Sequence, residues 1–173
     1  MQFNQRLMEF DPHWIEVLQV VVSIFLGGLI GMERELAAKP AGLRTHMLVA
    51  GAATLFVILG EFMIQQFSDL LINEVLRADP IRIMEAIITG ISFLGAGTII
   101  FNNKGSTVEG LTTAASILFV AAIGITVALG QFAMAAILTI VVVGILQLLG
   151  LVERWIKKMR AKAGYPPKRH NDK

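Results

Sequence analysis

Between Ile83 and Val152 the chain runs for seventy residues with only Glu85, Lys104 and Glu109 ionisable. No water-soluble fold can solvate a stretch so poor in charge, whereas a bilayer supplies an apolar solvent for it. The whole chain of 173 residues is 55% hydrophobic and 16% charged, against about 25% charged in an ordinary soluble domain. The expected fold is therefore all-α: a polytopic bundle of transmembrane helices.

Apolar length predicts five spans: Trp14 to Met32, Thr45 to Ile64, Pro80 to Phe101, Glu109 to Ala128, and Gly130 to Val152. Each is near the ~20 residues that carry a helix across ~30 Å of hydrocarbon. Pro80 suits a first helical position, and Asp79 before it suits an N-cap. Only Leu129, Gly130 and Gln131 separate the last two spans, so one bent element is the alternative there. The chain divides into a transmembrane domain, residues 1–152, and a basic tail, residues 153–173, expected in the cytoplasm. The N-terminus lacks a small-residue cleavage site and is not expected to be a removed signal.

Lys and Arg set the orientation. With five spans, the N-terminal side carries Arg6, Arg77 and Arg82, and the opposite side carries the other twelve of the fifteen cations. The positive-inside rule then predicts an N-terminus outside and a C-terminus in the cytoplasm. In the tail, Trp155, Ile156 and Met159 alternate with cations, as expected of an interfacial anchor attracted to anionic lipid. No aromatic platform accompanies the cations, so no nucleic-acid partner is expected.

The third span carries a stripe of Glu85, Thr89, Ser92 and Ala96, with Ala86, Gly90, Phe93 and Gly97 beside it. The fourth carries Glu109, Thr112, Thr113 and Ser116 on one side. Small and hydroxyl residues at helical spacing suit close packing, each hydroxyl contributing roughly 0.6 kcal/mol when it bonds across an interface. They also suit the walls of a polar cavity, in which case the two stripes face each other. Glu85, Thr89, Ser92, Glu109, Thr112, Thr113 and Ser116 are the candidate interhelix site. Gly27 and Gly31, with Gly90 and Gly97, are candidate packing positions.

No cysteine is present, and His46 has no second His nearby, so neither a thiolate nor a metal site is expected. An interfacial role suits His46 better than metal binding. Glu16, Glu61, Glu85 and Glu109 lie near span ends, where carboxylates reach water. The run from Gly95 to Ser106 lacks the order of a phosphate-binding loop, and no catalytic triad spacing occurs. An enzyme is not expected, nor a cofactor.

Three ordered segments resemble the signatures of the MgtC/SapB family of membrane proteins. They are Gly28-Leu29-Ile30-Gly31-Met32-Glu33-Arg34-Glu35 with Lys39-Pro40-Ala41-Gly42-Leu43-Arg44-Thr45-His46; Gly90-Ile91-Ser92-Phe93-Leu94-Gly95-Ala96-Gly97-Thr98-Ile99; and Gly110-Leu111-Thr112-Thr113-Ala114-Ala115-Ser116 followed by Ala121-Ala122-Ile123-Gly124. The resemblance implies a multi-pass protein of the bacterial inner membrane, linked to growth in low magnesium. It further implies action on other membrane proteins, including the F-type ATP synthase, rather than carriage of magnesium. Glu109 stands where the family often has Arg, and Leu118 where an aromatic is common. Some members add a soluble cytoplasmic domain, and here the expectation is the membrane domain alone.

Two functions follow as expectations: a regulatory interaction protein, or an oligomeric ion or solute (Mg2+) permeation unit around Ser92 and the Thr112–Ser116 stripe. The expected partners are the bilayer, further copies of the chain and another membrane protein. Glu33, Arg34, Glu35, Lys39, Arg44 and His46 form a candidate cytoplasmic docking loop, with a plain topology anchor as the alternative.

Overall fold

A computed structural model of the chain describes residues 12–68, 80–101 and 110–162. These residues form five helices: α1 (Pro12–Leu36), α2 (Leu43–Ser68), α3 (Pro80–Phe101), α4 (Leu111–Ala128) and α5 (Phe132–Lys162). No strand occurs among the described residues. All five are long and apolar enough to cross a membrane. Asp79, Lys104 and Glu109 lie outside the described residues, as does the tail from residue 163.

The helix ends follow local chemistry. Pro12 and Pro80 each open a helix, at a position whose N–H would have no partner in any case. The short stretch between the last two spans is a true reversal and not a bend. Gln131 N–H donates to the Thr126 carbonyl at 3.1 Å and Gly130 N–H to the Val127 carbonyl at 2.9 Å. This is the paired bond pattern of a Schellman end, and Gly130 supplies the left-handed residue with φ 72°. Gln131 then accepts from Ala135 N–H at 3.0 Å and starts α5. That helix continues past Val152 to Lys162, with Trp155, Ile156 and Met159 exposed.

The same end closes α1. Lys39 N–H donates to the Arg34 carbonyl and Ala38 N–H to the Glu35 carbonyl, both at 3.0 Å. Here the left-handed position is Ala38, φ 52°, where a Cβ is unfavourable. Ala38→Gly is therefore expected to stabilise the chain by about 1 kcal/mol. A rise in the melting temperature of the detergent-solubilised protein would show it; an unchanged or lower value would mean that the turn differs from this geometry.

α4 is the hub. It contacts α1, α2, α3 and α5, and Ile117, Val120, Ile123 and Val127 are fully buried along it. α1 and α2 lie against each other through glycines. α3 rests on α4 and α2, and α5 on α1 and α4. The outward sides carry large exposed apolar groups such as Phe25, Leu48, Phe56, Ile137, Ile140 and Leu148. Such a surface suits hydrocarbon and would drive aggregation in water.

Candidate functional site

The last turn of α1, the α1–α2 turn and the first turn of α2 bring six sequence-selected residues to one end of the bundle. They are used in different ways. Arg34 is buried, 4% exposed, and pairs through Nε with the Glu33 carboxylate. Glu35 reaches across the turn, where its Oε2 accepts from Leu43 N–H at 3.0 Å. A carboxylate thus caps the N-terminus of α2, where the helix dipole favours negative charge. The anion-attracting end of α2 is occupied by the protein's own side chain. Lys39 and Arg44 are exposed.

His46 does not sit at a water interface. Its side chain is fully buried, 0% exposed, between the start of α2 and the second turn of α4. Nδ1 lies 2.9 Å from the Gly42 carbonyl oxygen, which can only accept, so this nitrogen carries a hydrogen. Nε2 lies 3.0 Å from Ser116 Oγ, and the Ser116 hydroxyl also donates to the Thr113 carbonyl at 2.8 Å. The neutral ring shares the hydroxyl hydrogen with Thr113. A protonated ring would donate to Ser116 and leave that hydrogen to Thr113 alone. Serine and imidazole at this distance are the parts of an activated nucleophile. With Ser116 only 4% exposed, however, the pair joins two helices inside a packed core.

A second link lies about two turns along. Thr54 Oγ donates to the Ala50 carbonyl at 3.0 Å and to the Gly124 carbonyl at 2.8 Å, tying α2 to α4. The backbones meet there: a Cβ added to Gly124 would collide with the Ala50 carbonyl oxygen. Neither the His46–Ser116 pair nor the Thr54–Gly124 link was legible from spacing along the chain. The available signal was that His46 closes the first sequence segment, while Ser116 and Gly124 belong to the third.

Among the described residues the two polar stripes do not meet. On α4, Thr113 and Ser116 are buried while Thr112 is exposed. On α3, Glu85, Thr89 and Ser92 are all exposed, and it is Ile87 that is buried. The apolar side of α3 has turned inward because it packs on the apolar groups of α2 and α4. Gly27 and Gly31 stand at a close backbone approach of α1 to α2, whereas a Cβ on Gly90 or Gly97 would meet nothing within 4 Å.

Among the described residues, pockets open at both ends of this architecture. One, of about 470 Å³, opens between the α1–α2 turn, α3 and α4, and is lined by Pro40, Ala41, Thr45, Phe93, Leu94, Gly97, Thr98 and Ile117. The other, of about 220 Å³, lies at the opposite end and is lined by Ile15, Glu16, Gln19, Ile58, Glu61, Phe62 and Ala128. Gln19 crosses it to donate to the Ala128 carbonyl at 3.1 Å. Among the described residues no group of three His, Cys, Asp or Glu side chains is placed to hold a metal.

The profile of the MgtC family matches residues 20–155. A protein of Haemophilus influenzae is 35% identical over 150 residues, 86% of this chain and 62% of its own length. The Escherichia coli K12 protein named "Putative magnesium transporter YhiD" is 38% identical over 116 residues, 67% of this chain and 52% of its own. Protein MgtC of Salmonella typhimurium is 38% identical over 139 residues, 80% of this chain and 52% of its own. The chain thus spans about half to three fifths of the length of these relatives. No solved structure matches.

Proposed function

The chain belongs to the MgtC family, and from that premise we propose that it is a regulatory protein of the bacterial inner membrane. In this reading it catalyses no reaction itself and acts by binding other membrane proteins during adaptation to low magnesium or related stress. One observation carries it. The polar side chains inside the bundle are closed on one another, His46 on Gly42 and Ser116 and Thr54 on Ala50 and Gly124, as befits a packed scaffold rather than a conduit. The magnesium connection comes from the name of the Escherichia coli relative alone.

The orientation that fits this role places the α1–α2 turn in the cytoplasm. Lys39 and Arg44 are exposed there, and by the alternation of spans Lys158 and Arg160 at the end of α5 share that side. With Arg34 and Glu35 engaged internally, the accessible part of the docking loop reduces to Lys39 and Arg44. These cations suit an acidic segment of a partner protein.

The test uses the full chain in its native membrane. Lys39→Ala with Arg44→Ala is expected to leave abundance unchanged and to reduce partner recovery in mild-detergent purification by about fivefold or more. The permeation reading makes the opposite forecast. Divalent-cation flux into proteoliposomes above that of empty liposomes, with recovery of the partner unaffected by the double substitution, would overturn the regulatory role.

A further inference from the structure

α3 buries only one of its sides. Ile87 and Gly95 face the subunit, and a Cβ on Gly95 would touch Ala114. On the opposite side Arg82, Ala86, Thr89, Phe93 and Ala96 are exposed. Thr89 and Ser92 lie at the middle of the span Pro80–Ile99, the part of a membrane helix farthest from water. In the other spans Ser23, Thr54, Thr126 and Thr139 donate to carbonyls of their own helices. The hydroxyls of Thr89 and Ser92 make no hydrogen bond with any described residue. Arg82 and Glu85, one turn apart, likewise form no ion pair among the described residues. α5 is different: its outer side carries Met134, Ile137, Ile140, Val141 and Ile145, which lipid solvates as well as protein does. α3 is the helix whose outer side hydrocarbon serves badly.

We propose that this side of α3 is where a second copy of the chain docks, α3 against α3, about a two-fold axis along the membrane normal. Arg82, Ala86, Thr89, Phe93 and Ala96 are spaced alternately four and three residues apart, the repeat that keeps one seam facing a partner helix in a left-handed pair. A two-fold contact must be self-complementary, and this one is. Arg82 of one copy comes within a turn of Glu85 of the other, and the reverse. Phe93, 84% exposed, is the projecting group. The matching depression is at Gly90 and Gly97, where open space stands in place of a Cβ, beside the mouth of the 470 Å³ pocket that Gly97 lines. The two Thr89 hydroxyls meet near the axis and bond to each other. Opposite charges, a knob with its hole, and paired hydroxyls on one surface favour a second copy over an unrelated membrane protein, which would need the complement on a different sequence.

The chain has no cysteine, so single cysteines can be read without background. Ala86→Cys, Thr89→Cys, Phe93→Cys and Ala96→Cys, with Ile87→Cys on the inner side and Ile140→Cys on α5 as controls, are oxidised in native membranes. Disulfide-linked product with the mass of two chains is expected at the four seam positions, at least about fivefold above the controls. Gly90→Leu, at an exposed position where an added Cβ meets nothing within 4 Å, is expected to keep normal abundance and to lower that product by about fivefold or more. Glu85→Arg is expected to lower it too, and Arg82→Glu added to Glu85→Arg to restore it. A yield without this periodicity, a maximum at Ile140→Cys, or a product whose mass is that of one chain plus a different protein would each overturn the proposal.

Discussion

Leucine in place of Gly31 is expected to leave little folded protein in the membrane, and alanine there to cost about 1–3 kcal/mol. The same holds for Gly27, one turn earlier on α1. A Cβ on Gly31 would stand 2.7 Å from Leu43 Cα, and one on Gly27 would stand 2.6 Å from the His46 carbonyl oxygen and 2.7 Å from Ala50 Cβ. These are backbone atoms and a Cβ fixed to the backbone, so no rotamer change relieves the overlap. α1 would have to move off α2, opening the close-packed contact that lets the two helices associate in lipid. Gly124 belongs to the same class because its obstacle is the Ala50 carbonyl. Gly51 provides a partial contrast: its nearest obstacle, at 2.7 Å, is Ile24 Cγ1, a side-chain atom that can yield only by a change of χ1 disfavoured in a helix, whereas backbone cannot yield at all. Gly90 and Gly97 form the other extreme, with open space. Membrane abundance and the melting temperature in detergent should therefore rank Gly31→Leu and Gly27→Leu far below Gly51→Ala, with Gly90→Leu near the unaltered chain. A normal melting temperature for Gly31→Leu would refute the α1–α2 contact.

That ranking marks where sequence reading reaches and where it stops. Five spans follow from apolar length alone, because only a closed helix satisfies its own backbone in lipid. Pro80 fixes the start of α3 and Gly130 the reversal into α5, since each residue type has a backbone preference of its own. Which side of a span faces protein is another matter. Lipid is as apolar as leucine, so hydropathy does not separate an inner side from an outer one. Gly27 with Gly31 and Gly90 with Gly97 look alike along the chain, yet the first pair meets backbone and the second open space. Glu35 reads as a surface charge until the turn folds back and sets it on Leu43 N–H. His46 and Ser116 are 70 residues apart; their meeting is a property of how α2 crosses α4, which no local pattern encodes.

Removing the His46 ring is expected to cost about 2–4 kcal/mol, the second large effect. His46→Ala empties a fully buried site and leaves the Gly42 carbonyl oxygen without its side-chain donor. Ser116→Ala is milder, about 1 kcal/mol. It removes little volume, but it strands Nε2 in a site that water does not reach. Because the two changes break one shared bond, their effects should not add: a double-mutant cycle is expected to return a coupling of about 1 kcal/mol. His46→Phe separates volume from hydrogen bonding. It refills the space, and Ser116 retains the Thr113 carbonyl at 2.8 Å, so its cost should fall between those of Ser116→Ala and His46→Ala. Unfolding in detergent, followed by helical signal against denaturant, measures all four variants. A coupling below about 0.3 kcal/mol would mean that His46 only fills space. A coupling near 1 kcal/mol would make the imidazole the bond that locks the α1–α2 turn onto α4. The surface position of Lys39 and Arg44 would then depend on a side chain buried beneath them.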